Sequence, residues 1–205
     1  LKKPLLLIGG WWDPHLTGIL NIFEKAKKAG GNPKLLIGPA THLQWWEGAQ
    51  QAQLNFFNSH LKPKNEKIHF PQIKLWNQTK KTWELSVQNK TPTWSLRSEG
   101  LASISHLEGC LVPNADLVAD NEVAVVHDPW RPTPAIGGHL SETPGEANRF
   151  IIDIRPDVAV FTSNPFSEDL RLEGIPTLFL ETKCDRETFD LFVALSRIPS
   201  KAENT

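Results

Sequence analysis

The chain has 205 residues, 22 basic and 23 acidic side chains spread without blocks, and a net charge of −1 at pH 7. That balance excludes a basic nucleic-acid surface, a polybasic membrane anchor and a charged disordered tail. No apolar run reaches the length of a membrane span, and the length suits one large domain or two small ones.

The first predicted strand is Leu5–Ile8, an unbroken apolar run that stops at Gly9-Gly10 and delivers Asp13 just beyond. A second run, Leu35–Ile37, stops at Gly38-Pro39 and delivers His42. Apolar runs without alternation suit strands of a parallel sheet covered on both faces. Between them Ile19, Leu20, Ile22, Phe23, Ala26 and Ala29 recur at helical spacing, with Thr17 as the expected N-cap. Lys25, Lys27 and Lys28 favour the C-terminal end of that helix, and Gly30-Gly31 stops it. Strand, helix, strand is a right-handed crossover that sets the two strands in parallel as neighbours. Their exits then share one sheet edge, which brings Asp13 within reach of His42. A carboxylate placed there can hold an imidazole in one tautomer and stabilise its protonated form.

A second helix is expected from about Glu47, with Ala49, Ala52 and Phe56, and Leu54, Phe57 and Leu61, giving it an apolar face up to Lys62-Pro63. Beyond the polar linker PKNEK, helical periodicity gives way to short candidate strands between turn residues. These are Gln72–Trp76, Thr82–Val87, Trp94–Ser98, Glu122–His127, Asp157–Thr162, Asp169–Glu173, Thr177–Glu181 and Thr188–Arg197. Many short strands in succession predict a β-sandwich or jelly roll. Cys110 and Cys184 have neither metal nor redox spacing and are expected as two buried thiols. Met and Tyr are absent, against eight Trp and ten Phe.

The motifs then point to a family. GGWWDPHLTG at 9–18 and GPATH at 38–42 resemble the end of the α/β-hydrolase domain of the CocE/NonD hydrolases, which include cocaine esterase and are related to the X-Pro dipeptidyl-peptidases. FFNSHLK at 56–62 is similar to the close of that domain's last helix. WSLRSEGLAS at 94–103, VHDPWRPTPAIGGH at 126–139 and DIRPDVAVFTSNPFSEDLRLEG at 153–174 resemble the family's C-terminal jelly roll. The resemblance implies the C-terminal part of an α/β-hydrolase sheet over residues 1–62, followed by an incomplete X-Pro dipeptidyl-peptidase-like jelly-roll sandwich over 63–205. It also implies that Asp13 is the acid and His42 the base of a serine hydrolase triad, in the order the fold uses.

The nucleophile elbow G-x-S-x-G is not in the sequence. Ser103 and Ser105 sit on no strand–turn–helix elbow and are poor substitutes. The chain is therefore expected to be the middle-to-late part of a larger enzyme, silent without an upstream serine. The competing expectation is a non-catalytic binding or assembly module that keeps a hydrolase remnant. Trp12, His15 and Trp45 flank the two candidates and could wall a substrate pocket or serve as packing. His60, His69, His106, His127 and His139 show no ligand spacing, so no metal is expected. No cofactor is implied. The expected partner is a small ester, amide or peptide, with a homo-oligomer left open and a cytoplasmic location. Asp128, Arg131, Arg155 and Asp157 read as a bonded loop between sheets.

Overall fold

The computed structural model describes residues 2–62, 68–87, 92–113 and 121–199. Strand β1 (Leu6–Trp12), helix α1 (Leu16–Lys28) and strand β2 (Lys34–Thr41) form the expected crossover, with β1 and β2 parallel. Their core is Phe23 of α1 against Leu35 and Ile37 of β2, with Leu7, Trp11, Leu16, Ile19 and Leu20 packed around it. Both strands run through their glycines instead of ending there, because the missing Cβ atoms let neighbours close in. A Cβ on Gly10 would lie 2.3 Å from the Ala40 carbonyl oxygen, and one on Gly38 would lie 2.2 Å from the Trp46 ring.

Helix α1 begins at Leu16 with His15 as its cap residue, so Thr17 lies inside the helix. The chain turns into it through Asp13, whose Oδ1 accepts the His15 backbone N–H at 2.8 Å. This side-chain turn leads the chain into the helix, whose first turn has no side-chain cap. At the other end Gly30 adopts φ +77°. The Gly31 N–H donates to the Ala26 carbonyl and the Gly30 N–H to the Lys27 carbonyl, a Schellman closure that needs this left-handed residue.

Helix α2 (Ala49–Leu61) buries Ala49 and Phe56, while Leu54, Phe57 and Leu61 are exposed, so only one of its two apolar rows packs. The sheet continues across residue 62. Strand β3 (Ile73–Asn77) lies parallel to β2, and β4 (Thr82–Leu85) returns antiparallel, giving the order β1-β2-β3-β4. The expected division at residue 62 thus falls between α2 and β3, inside the span joined by this sheet.

A second sheet has the order β5-β6-β7, with β5 (Trp94–Arg97) antiparallel to β6 (Cys110–Pro113) and β6 parallel to the short β7 (Thr162–Ser163). Ala102, Ser103 and Ile152, the last from the single-turn helix α3 (Phe150–Asp153), are also buried. The mixed sheets and sparse helices of this half make it a β-rich domain.

Several expected strands do not form. Glu122–His127, Asp169–Glu173, Thr177–Glu181 and Thr188–Arg197 have no ladder partner among the described residues, and Asp157–Thr162 contributes only its last residue to β7. The segment near 171 is held to β4 by side chains instead. Arg171 reaches Glu84 Oε2 at 3.0 Å and donates to the Leu85 carbonyl at 2.8 Å, and Ser86 bonds Glu173. At 188–197 the alternation of Phe189, Leu191, Val193 and Leu195 lacks the covered face that would make it a strand, since each is more than half exposed. Both cysteines are free and exposed rather than buried, Cys110 at the first residue of β6 and Cys184 in irregular structure outside any strand or helix.

The proline-rich loop is closed as expected. Arg155 donates to Asp157 through Nε at 2.7 Å and Nη2 at 2.5 Å, and Nη2 also donates to the Arg131 carbonyl. Asp128 Oδ1 accepts the Trp130 N–H at 2.9 Å. The hydrogen bonds from Arg155 hold the Asp157 carboxyl below its ordinary range. A depressed folded pKa contributes stability that is present above the unfolded value and lost as pH falls through the folded one. Between about pH 6 and about pH 3, across the ordinary aspartate range, wild-type Tm should therefore fall more steeply than that of Asp157→Asn. Parallel melting curves for the two would refute the pair's contribution.

Candidate functional site

Asp13 and His42 each follow the last residue of a strand, and the register decides whether they meet. Gly10 pairs with Gly38, yet Trp12 pairs with Thr41, so β2 carries one extra residue between the two pairs. Pro39 lies in that bulge, where a residue without an N–H costs no ladder bond. In an unbulged ladder Asp13 would sit opposite Thr41. With the bulge, Trp12 and Thr41 are opposite and the next residues, Asp13 and His42, leave the sheet side by side.

His42 Nδ1 lies 3.4 Å from Asp13 Oδ1. That is within ion-pair reach and longer than the roughly 2.7–3.2 Å of a formed N–H···O hydrogen bond. The two partners differ sharply in environment: Asp13 is 5 % exposed, whereas the His42 side chain is 56 % exposed. The carboxylate is held by the backbone of its own turn. The imidazole rim faces open space on its other side.

The loop carrying His42 is also fixed. The Thr41 N–H donates to the Gln44 carbonyl at 2.9 Å, and the Gln44 N–H donates to Thr41 Oγ1 at 3.0 Å. This reciprocal pair presents His42 at the tip of a tight turn. A Thr followed by a polar residue three positions on was the available sequence signal.

Of the flanking residues, His15 joins the pair. Its ring lies edge-on to His42 with centroids 4.9 Å apart. The donor atoms of Asp13, His15 and His42 all lie within 4.8 Å of one another, although the histidine spacings considered from sequence predicted no metal site. Trp12 ends β1, half-buried beside Thr41. Trp45 is 46 % exposed and its ring packs on Trp46, 5.6 Å away.

Trp46, the second of the tryptophans flanking His42, is packing rather than pocket wall. Its ring covers Gly38 and meets Trp83 at 5.3 Å, and Trp83 in turn meets Trp76 at 5.7 Å. Trp11 donates from Nε1 to the Trp76 carbonyl at 2.8 Å. These aromatics lock β1, β2 and the β3–β4 hairpin together directly beneath the His42 turn. The glycine opposite a tryptophan pair was the clue, but which ring covers it depends on the turn between them.

Ser103 is unsuited to nucleophilic work, since it is buried and its Oγ donates to the Ala124 carbonyl at 2.6 Å. A depression lined by Lys2, Leu5, Lys34, Phe56, His60 and Phe70 opens at the opposite end of β1 and β2 from Asp13 and His42. No helix among the described residues is long and apolar enough to cross a membrane.

Comparison with known families adds two matches. Residues 1–44 match the model described as X-Pro dipeptidyl-peptidase (S15 family). Residues 42–205 match the one described as the X-Pro dipeptidyl-peptidase C-terminal non-catalytic domain. No curated protein matches the chain.

Proposed function

The chain belongs to the X-Pro dipeptidyl-peptidase family, and on that premise we propose that it supplies the acid and base of a serine hydrolase whose nucleophile lies outside these 205 residues. In this reading His42 takes the proton of a serine hydroxyl as it attacks an ester, an amide or the bond following a proline. It then returns that proton to the leaving group. Asp13 keeps the proton of the resting imidazole on Nδ1, leaves Nε2 free for the serine, and offsets the charge of the imidazolium. Trp12, His15 and Trp45 wall the substrate approach. The β-rich remainder is read as a jelly-roll domain that performs no chemistry, with the hydrolase part ending near residue 62.

The observation that carries this reading is the 3.4 Å approach of Asp13 to His42 at adjoining strand exits. Catalytic hydrogen bonds that are long without substrate commonly tighten in the complex. A serine-directed fluorophosphonate probe tests the assignment. The 205-residue chain should remain unlabelled, and a protein that also carries a G-x-S-x-G elbow should be labelled at that serine. Stoichiometric labelling of the 205-residue chain itself would overturn the proposal.

A further inference from the structure

The mechanism above uses Asp13 and His42 and leaves His15 as a wall. The three together have a second capacity. We propose that Asp13, His15 and His42 form a binding site for a zinc-class divalent transition metal, and that its occupation silences the acid–base pair. The silencing rests on the hydrolase reading, whereas the site rests on geometry alone.

A tetrahedral metal with bonds of about 2.0–2.1 Å to nitrogen and oxygen needs its ligand atoms roughly 3.3–3.4 Å apart. Asp13 Oδ1 and His42 Nδ1 are already 3.4 Å apart. The third donor is a ring nitrogen of His15, inside the 4.8 Å span of the cluster and on an exposed side chain that can swing inward. The carboxylate needs no reorganisation, because its Oδ1 is held by the His15 main-chain N–H at 2.8 Å. Two ligands thus come from one turn, Asp13 and His15, and the third from the neighbouring strand exit. Three protein donors leave the fourth position to water. Two imidazoles and one carboxylate favour zinc, cobalt, nickel or copper over magnesium and calcium, which prefer oxygen.

Occupation and acid–base work exclude each other at one atom. A metal on His42 Nδ1 takes the position of the proton that would be donated to Asp13, and it draws electron density from the ring, so Nε2 becomes a poorer proton acceptor. Both members of the pair are engaged by the same ion.

The test is calorimetric titration of zinc chloride into the full chain at neutral pH, in a Cys110→Ser/Cys184→Ser background because both thiols are exposed. One zinc per chain is expected. Each of Asp13→Asn, His15→Ala and His42→Ala should weaken binding by more than about 10-fold, the least that loss of even an outer-shell partner costs. His60→Ala, at the far end of the strands, should leave binding unchanged. Cobalt should give the intense visible bands of a four-coordinate site with the same dependence on His15. His15 is exposed, so its alanine variant should retain the parent circular dichroism spectrum. Zinc binding that ignores His15, or an affinity indifferent to all three substitutions, overturns the site. Zinc should also slow fluorophosphonate labelling of the serine-containing protein. If zinc binds as described yet labelling is undiminished, the silencing fails together with the acid–base reading, and the metal site stands. If labelling requires Asp13 and His42 while zinc ignores His15, the metal site fails and the hydrolase reading stands.

Discussion

In the serine-containing protein, His42→Ala lowers turnover by about 10⁴- to 10⁶-fold, and Asp13→Asn by about 10⁴-fold, with little change in KM. The histidine loss is the larger because it removes the base itself, whereas an asparagine at 13 still fills the turn but stabilises the wrong tautomer. The pair acts as a unit, so the double variant should be scarcely slower than His42→Ala alone. Multiplicative losses in the double variant, or a His42→Ala enzyme within 10-fold of wild type, would show that the 3.4 Å contact is structural. Asp13→Ala is the less informative change. It also removes the acceptor for the His15 N–H at the start of α1, and so mixes a folding cost with a chemical one.

Gly10→Ala is expected to be the most damaging single methyl in the first sheet. The added carbon would stand 2.3 Å from the Ala40 carbonyl oxygen, and that oxygen belongs to the strand backbone, so only separation of β1 from β2 relieves the clash. The cost is about 3 kcal/mol, the upper end for overpacking, read as a lowered midpoint in urea. Activity of the serine-containing protein should fall beyond the fraction unfolded, because the same separation pulls Asp13 from His42. Gly38→Ala meets a side chain instead, the Trp46 ring at 2.2 Å, and a tilting ring should limit its cost to about 1 kcal/mol. Equal stabilities for Gly10→Ala and wild type would mean that the two strands are not in the close contact described.

Much of this was legible in the residues. Two unbroken apolar runs flanking an amphipathic segment specify neighbouring parallel strands, since only a crossover helix can return the chain to the same edge. Asp13 and His42, each just past a glycine at the end of such a run, were therefore readable as partners. The bonded loop around Arg155 and Asp157 was readable as well, because opposite charges two residues apart beside prolines have little else to do.

Other features depended on distant segments. The pattern at 188–197 specifies a strand only when a sheet edge and a covered face are available to it, and the exposed Phe189, Leu191, Val193 and Leu195 have neither. The β3–β4 hairpin could have joined either sheet; pairing with β2 decided it. His15 was legible as a residue flanking the pair, but only the turn at Asp13 sets its ring edge-on to His42.

Residue types and their order thus determined the family, the crossover and which two residues are the candidate acid and base, because these follow from local periodicity and short motifs. Only the tertiary structure decided that the two side chains meet. Their approach depends on the single extra residue at the Pro39 bulge, and a one-residue change of register is invisible until both strands are laid side by side.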